Sequence, residues 1–186
     1  AIQSIPDSTL TEWRRAEPNP AITLPNENPF IPKNLTLIET ASTPLSSILP
    51  APTIAKKSER GIVYTAEDTT FRVPKVSMTF LLLTPQVTAG DPTKVVLADL
   101  YVKALNDAFS PYSYPAQMAG LDYEVKRENN GIRLTVQGYS ETADTLLKTL
   151  NDAIHNGTLP LNKFAVYKEM LLREYMNASM DKPWEQ

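Results

Sequence analysis

The stretch "DYEVKRENNGIRLTVQGYS", residues 122–140, holds two runs of alternating apolar and polar residues around an asparagine–glycine pair. In the first run, Tyr123 and Val125 lie on one face of an extended chain because successive side chains point to opposite sides. The pair Asn130-Gly131 favours the two positive φ angles of a two-residue hairpin turn. We therefore predict an antiparallel hairpin whose tip is Asn130-Gly131 and whose strands each bury one face.

A strand and a long helix are predicted before this hairpin. The run "KVSMTFLLLT", residues 75–84, alternates and then becomes wholly apolar, which is typical of a strand covered on both faces. Asp91 followed by Pro92 predicts a helix start, and Gly120 predicts the end of a further helical turn in "YPAQMAGL". The helix is expected to be buried because its apolar residues cover a wide arc: Val95, Val96, Leu97, Leu100, Tyr101, Ala104, Leu105, Ala108 and Phe109.

Two more helices are predicted after the hairpin. The first is capped by Ser140 and stopped at Gly157, and the second opens at Pro160. Upstream, "GIVYTA" and "TTFRV", residues 61–66 and 69–73, read as short strands. The predicted class is α+β: a mixed, mostly antiparallel sheet with helices packed on one face.

A different kind of sequence precedes the domain. Residues 24–40, "LPNENPFIPKNLTLIET", which we call the strap, combine apolar side chains with three prolines that exclude a helix or a central strand. The apolar side chains of the strap are too many for a free linker. Phe30 and Ile31 are adjacent, so in an extended chain they point to opposite sides.

The prolines also predict the domain organisation. Nine of the sixteen lie at or before Pro52. Residues 1–58 are predicted to be an extended, proline-rich connecting segment, with a short helical turn at Ser8 to Arg15 capped by Ser8 or Thr9. Residues 59–186 are predicted to form the α+β domain.

Composition excludes several classes of function. With 186 residues and 42% hydrophobic residues the chain is long enough for a core. A net charge of −3 without a basic cluster argues against nucleic acid and anionic membranes as partners, and no apolar run is long enough to span a membrane. The absence of cysteine excludes disulfides and cysteine chemistry within these residues.

Catalytic side chains are scarce. His155 is the single histidine and has no partner at metal-ligand spacing, so it reads as a helix-end residue. The acidic pairs Glu67-Asp68 and Asp122-Glu124 are interpreted as a turn and a solvated strand face. Four tyrosines, at positions 101, 112, 114 and 123, are interpreted as packing residues. No catalytic, cofactor-binding or metal-ligating residue is assigned.

The order of these segments resembles the third domain of insulinase/pitrilysin-type zinc metallopeptidases, which are inverzincins. The resemblance lies in "PK" before the core strand, the long helix ending before "YSYPAQMAGL", the hairpin "NNGIRLTVQGYS" and the helix after it. The strap resembles the segment with which these enzymes leave their second domain. This implies that the strap lies over protein surface, with one of Phe30 and Ile31 buried in this domain and the other facing a further partner. The match covers nearly the whole chain.

The resemblance implies a role in a larger enzyme. Two bowl-shaped halves would enclose a chamber that holds peptide substrates, with the strap connecting them. A His-x-x-Glu-His helix in the first domain would bind zinc, and that motif is absent here. The chain is thus expected to be a non-catalytic fragment of a metalloendopeptidase, truncated within its third domain at "DKPWEQ". A fragment of an inactive paralogue that acts as a binding subunit is the alternative. The resemblance favours a periplasmic location, with the cytoplasm as the other possibility.

Overall fold

The computed structural model describes residues 5–17, 19, 21–24, 26–37, 51–68, 70–156 and 159–178, and the structural statements below concern these residues. In chain order the elements are α1 (Asp7–Arg15), β1 (Thr53–Ser58), β2 (Gly61–Thr65), β3 (Lys75–Leu83), α2 (Pro92–Met118), β4 (Asp122–Glu128), β5 (Gly131–Tyr139), α3 (Ser140–Asn156) and α4 (Phe164–Ala178). A short 3-10 turn, Leu161–Lys163, leads into α4.

Three antiparallel strands form the main sheet in the order β3-β5-β4. Helix α2 packs against β4, and α3 packs against β5 and β3. The residues that pair across the sheet under these helices, Val125 with Leu134 and Tyr123 with Val136, form the floor of the core. This arrangement confirms the predicted α+β class with helices on one face of the sheet.

Helix α2 begins and ends as predicted. The Asp91 carboxylate accepts hydrogen bonds from the amides of Thr93 at 2.9 Å and Lys94 at 3.3 Å, which satisfies donors at the helix start. Gly120 has φ of 74°, the left-handed conformation that closes a helix. The turn "YPAQMAGL" is continuous with α2, which runs through Pro111 and Pro115 to Met118.

The expected burial of α2 is only partly correct. Val102, Leu105 and Phe109 are buried against the sheet and α3. Leu97, in contrast, is 59% exposed, and Val96 and Tyr101 are also exposed. The helix therefore buries one side, and apolar residues on the rest of its surface have no cover among the described residues.

The hairpin forms, but its turn is displaced by one residue. Glu128 pairs with Gly131, which leaves Asn129 and Asn130 as the two turn residues. Neither asparagine has a positive φ, and Arg72 is the one non-glycine residue with a positive φ in the part of the chain described. The predicted tip at Asn130-Gly131 with two positive φ angles is therefore wrong, because Gly131 already belongs to β5.

The region before the main sheet differs from the prediction. Residues 61–65 form β2 as expected, but β2 pairs with β1, Thr53–Ser58, which lies in the segment predicted to be extended and irregular. Residues 69–73 were predicted to be a strand, and those described, 70–73, are irregular. Arg72 has φ of 46°, which a strand does not accommodate. The division predicted between residues 58 and 59 falls at the turn of the β1–β2 hairpin and stays a prediction.

Strand β3 occupies its predicted position but is not covered on both faces. It is an edge strand, and only Val76 and Met78 pack against the core. The apolar end of β3, Phe80 to Leu83, is exposed. Phe80 and Leu82 pair with Leu134 and Ile132, so they lie on the helix side of the sheet.

The other helix starts differ from the predicted caps. The N-cap of α1 is Pro6 rather than Ser8 or Thr9, and it makes no side-chain cap hydrogen bond. Ser140 is the first residue of α3, and its hydroxyl donates to the Pro74 carbonyl at 3.3 Å. The predicted stop at Gly157 and the terminal "DKPWEQ" lie outside the described residues. In α4, Tyr167 and Leu171 are buried.

Candidate functional site

The strap is attached to the domain through a buried aromatic side chain. Phe30 is 2% exposed and belongs to the main core, whereas its neighbour Ile31 is 55% exposed. This confirms the expectation that one of the two residues is buried in this domain while the other points away from it. Pro25 and Ile38 to Thr40 lie outside the described part of the strap.

Asn28 fixes the approach of the strap to the core. Its side-chain amide donates to the carbonyl of Pro115 in α2 at 2.7 Å. Its side-chain oxygen accepts from the amide of Phe30 at 3.0 Å, which is an Asx turn. The same side chain thus orients the phenylalanine and ties the strap to the last turns of α2.

Glu141 holds the strap at Lys33 and Asn34, which begin three residues after Phe30. One oxygen of its carboxylate accepts from the amides of Lys33 and Asn34, at 2.6 Å each. Glu141 lies in the first turn of α3, where the helix dipole favours a negative charge. The strap is therefore bound to α2, to the core and to α3 within seven residues.

Sequence reasoning missed Asn28 and Glu141. Each had a local signal: asparagine before Pro29 is typical of an Asx turn, and a glutamate after Ser140 is typical of a helix start. Neither signal indicates which distant residue is contacted, since both pairings join positions about ninety or more residues apart.

The opposite side of the strap presents apolar side chains to solvent. Leu24 is 93% exposed, and Ile31, Leu35 and Leu37 are exposed by about half. One side of this segment is already docked on the domain. Exposed apolar side chains on its other side are characteristic of a surface that another protein unit covers. We call these four residues the outer row of the strap.

A second constellation joins α2 to α4. Asp99 accepts from the Tyr175 hydroxyl at 2.6 Å and pairs with Arg127 at 2.7 Å. One turn along, Lys103 pairs with Glu174 at 2.6 Å. At the far end Asp107 accepts from Tyr167 at 2.9 Å and pairs with Lys163 at 2.8 Å. The residues of α2 are four apart, so these contacts form a polar ladder along one helix face.

The polar ladder shifts the pKa values of its members. Burial, and then the hydrogen bond to its aspartate, raises the pKa of Tyr167 to about 12, and the same causes raise the pKa of Tyr175 to about 12. Hydrogen bonds from Lys163 and Tyr167 lower the pKa of Asp107. At neutral pH the tyrosines are protonated donors and Asp107 is an ionised acceptor, so the ladder fixes α4 on α2 rather than moving protons.

The residues considered for catalysis are separated in the fold. His155 lies exposed near the end of α3, with its Nδ1 atom 3.0 Å from the Asn151 carbonyl oxygen. Glu124 lies on the exposed strand face and pairs with Lys126 at 2.5 Å. Across the described residues, no group of three or more histidine, cysteine or acidic side chains is placed to hold a metal ion. The assignment of no catalytic or metal-binding residue stays a prediction.

The interpretation of the four tyrosines as packing residues is correct for Tyr112 and Tyr123 and wrong for Tyr101 and Tyr114, which are exposed. Tyr123 packs edge-on against Phe109, with ring centroids 5.8 Å apart, and its hydroxyl donates to the Phe109 carbonyl at 3.1 Å. Tyr112 also packs against the core. Tyr114 is 70% exposed, so packing within this domain does not account for it.

Comparison with known proteins identifies the family. A family model described as the middle or third domain of peptidase M16 matches residues 1–186. The chain belongs to the peptidase M16 family. Within it, this M16 middle domain is 31% identical over its full length to "Insulin-degrading enzyme-like 1, peroxisomal" of Arabidopsis thaliana, and covers 19% of that protein. It is 29% identical to human insulin-degrading enzyme over 97% of the chain and 17% of the relative.

A solved structure shares the fold of this M16 middle domain. The crystal structure of pitrilysin superposes with a TM-score of 0.75 at 20% identity, covering 89% of this chain and 17% of pitrilysin. The chain thus spans about a fifth of the length of the relatives it matches. None of the helices described is both long and apolar enough to cross a membrane. The location in the periplasm stays a prediction, and the peroxisomal label belongs to the Arabidopsis relative.

Proposed function

We propose that this M16 middle domain is a non-catalytic structural part of a zinc-dependent metalloendopeptidase that degrades peptides in an enclosed chamber. In this proposal it contributes part of the chamber wall, and its strap connects the two halves of the enzyme. The remaining domains of the parent protein are its partners. Residues 1–58 act as the connecting segment and residues 59–186 as the domain, with the β1–β2 hairpin at their junction.

The observation that carries the proposal is the two-sided strap. Phe30 is buried in this domain while the outer row, Leu24, Ile31, Leu35 and Leu37, is exposed. Full burial of one such side chain is worth about 1.5–3 kcal/mol. A connection between two protein units would use both sides of the segment, whereas a free linker would need neither side to be apolar.

Other exposed apolar surfaces support a domain enclosed by further protein. The end of β3, the exposed side of α2 around Leu97 and the outer side of α4 around Met170 are all uncovered. Groups of exposed apolar side chains of this kind mark interaction surfaces in soluble proteins.

Zinc chemistry is assigned to another part of the parent. Catalytic zinc sites use about three protein ligands, usually including histidine, and His155 has no such neighbours within the described residues. By resemblance to the family, the His-x-x-Glu-His helix would lie in the first domain. The zinc-bound water would be activated there, while this domain shapes the space around the substrate.

The full-length protein tests the proposal. We expect it to bind about one zinc ion per chain and to hydrolyse a fluorogenic peptide, with activity lost after chelation. Ile31→Asp should lower kcat while zinc content and the unfolding temperature stay unchanged, because the substitution alters only the outer row. Asn26→Asp is the matched control, since it adds the same single negative charge to an exposed position of the strap without removing apolar surface.

The same measurements distinguish the proposed peptidase from the alternative, an inactive paralogue. A full-length protein that binds peptides without zinc and without cleavage would be an inactive paralogue acting as a binding subunit. Unchanged kinetics in Ile31→Asp would mean that the outer row does not contact another half, and would contradict the connecting role of the strap.

A further inference from the structure

We infer that residues 28–34 of the strap move with this domain as one rigid body and that Glu141 is the positioning residue that holds them there. Any pivot between this domain and the protein unit before it then lies N-terminal to Asn28, not within residues 28–34. The inference rests on the proposed function in one respect: it takes the strap to be a connection between two units.

Three anchors attach residues 28–34 to different parts of the domain. Asn28 binds α2, Phe30 enters the core, and the amides of Lys33 and Asn34 bind α3. The Ile31 amide donates to the Asn28 carbonyl at 3.4 Å, so the strap turns over Asn28 to Ile31 and then continues to its contact with α3. A strap held at three separated places cannot bend between them without breaking at least one contact.

The contact between α3 and the strap is made by a carboxylate, that of Glu141. Two backbone amides share one carboxylate oxygen at 2.6 Å each, and hydrogen bonds to a charged acceptor are stronger than neutral ones. The contact does not depend on the side chains at positions 33 and 34, because only backbone atoms donate. Glu141 is therefore the one side chain whose replacement removes this anchor and leaves the strap sequence intact.

The chain just before Asn28 differs from the anchored segment. Leu24 and Ile22 are almost fully exposed, and the hydrogen bond from the Ile22 amide goes to the nearby Asn19 carbonyl. The described residues 21–24 show no hydrogen bond to the domain. The anchored part of the connection thus begins at Asn28, and rotation upstream of it breaks none of the three anchors.

Hydrogen exchange followed by mass spectrometry on the full-length protein tests this inference. We expect a peptide covering residues 28–37 to be protected like the first turns of α3, and a peptide covering residues 19–27 to exchange much faster. Glu141→Ala should accelerate exchange in the 28–37 peptide by about tenfold or more, since it removes two charge-assisted hydrogen bonds. Glu141→Gln keeps an acceptor without charge and should give a smaller acceleration.

Asp144→Ala is the matched control, because Asp144 is an exposed acid on the same helix that pairs only with its neighbours Thr145 and Lys148. It should leave exchange of the 28–37 peptide unchanged. Equal exchange rates on the two sides of Asn28, or no acceleration in Glu141→Ala, would overturn the inference. This readout needs no peptidase activity, so a protein without zinc or hydrolysis would contradict the proposed function and leave the rigid attachment of the strap intact.

Discussion

At the scale of single residues, the absence of a side chain at Gly131 matters as much as any contact. A Cβ atom at this position would lie 2.3 Å from the carbonyl oxygen of Leu82 and 3.2 Å from the Cα atom of Leu83. Both are backbone atoms of β3, so they cannot move aside as a flexible side chain can. The close approach of β3 and β5 near the hairpin therefore requires glycine.

Gly131→Ala should consequently destabilise the fold. We expect a loss of about 1–3 kcal/mol in the free energy of unfolding, the usual cost of forcing extra atoms into a packed region. Gly90→Ala is the matched control, because its Cβ would come no closer than 3.9 Å to Thr88. Urea unfolding of the two variants provides the measurement, and equal midpoints would contradict the close approach of β3 at Gly131.

The tyrosines of the polar ladder predict a loss of stability at alkaline pH. Burial raises the pKa of Tyr167 to about 12, above the ordinary value of about 10. A raised pKa favours the folded state below pH 10, and this contribution is lost as the pH rises towards 12. Tyr167→Phe should therefore weaken the dependence of the unfolding midpoint on pH between 10 and 12.

Tyr114→Phe is the control for this measurement, since the Tyr114 side chain is largely exposed. It should keep the pH dependence of the wild-type protein. If Tyr167→Phe loses stability between pH 10 and 12 as steeply as the wild type, the pKa of Tyr167 is not raised in the folded protein.

At the scale of elements, α2 organises the domain. Its start is fixed by Asp91, one of its sides is buried on the sheet, and another carries the polar ladder to α4. Its last turns provide the Pro115 carbonyl that receives Asn28. The helix thus links the core, α4 and the strap. A substitution at its start should therefore lower the stability of the whole domain.

Asp91→Ala should lower the free energy of unfolding by about 1 kcal/mol, because two helix-start amides lose their acceptor. Asp91→Asn keeps a side-chain oxygen and should lose much less. Thermal unfolding of the two variants distinguishes them. A variant Asp91→Ala that melts with the wild type would mean that solvent satisfies these amides equally well.

The elements predicted best from sequence are those defined by local signals. The Asp91 cap, Gly120 and the alternation of β4 and β5 are properties of neighbouring residues, and the structure contains all three. The hairpin turn was misplaced by one residue because "NNG" offers two overlapping turn positions. Strand β1 was missed because the surrounding prolines indicated an irregular chain, while pairing with β2 decided the outcome.

Burial and distant contacts were harder to predict. The pattern of Phe80 to Leu83 indicates how apolar the strand is, but not whether a neighbouring element covers it. For the strap, the opposite orientations of Phe30 and Ile31 followed from chain geometry alone. The role of Glu141 did not, because it depends on which helix start meets the strap in three dimensions.

At the scale of the whole molecule, we predict that the 186-residue chain alone binds no stoichiometric zinc and hydrolyses no peptide. The reason is its single histidine, which lacks acidic neighbours placed to share a metal ion within the described residues. Metal analysis after dialysis, combined with a fluorogenic peptide assay, provides the measurement. One tightly held zinc ion per chain would contradict this assignment.

The strand order β3-β5-β4 has a consequence for the newly made chain. The middle strand of the sheet is the last of the three to leave the ribosome, since β3 pairs with residues 131–139 and not with β4. During synthesis the apolar run of β3 therefore has no pairing strand until α2 and β4 have been made and β5 follows. A nascent chain that pauses before Gly131 exposes "MTFLLL" without a pairing strand, and such segments are prone to aggregate. Chaperone binding to this domain should accordingly be strongest on chains that end between β4 and β5.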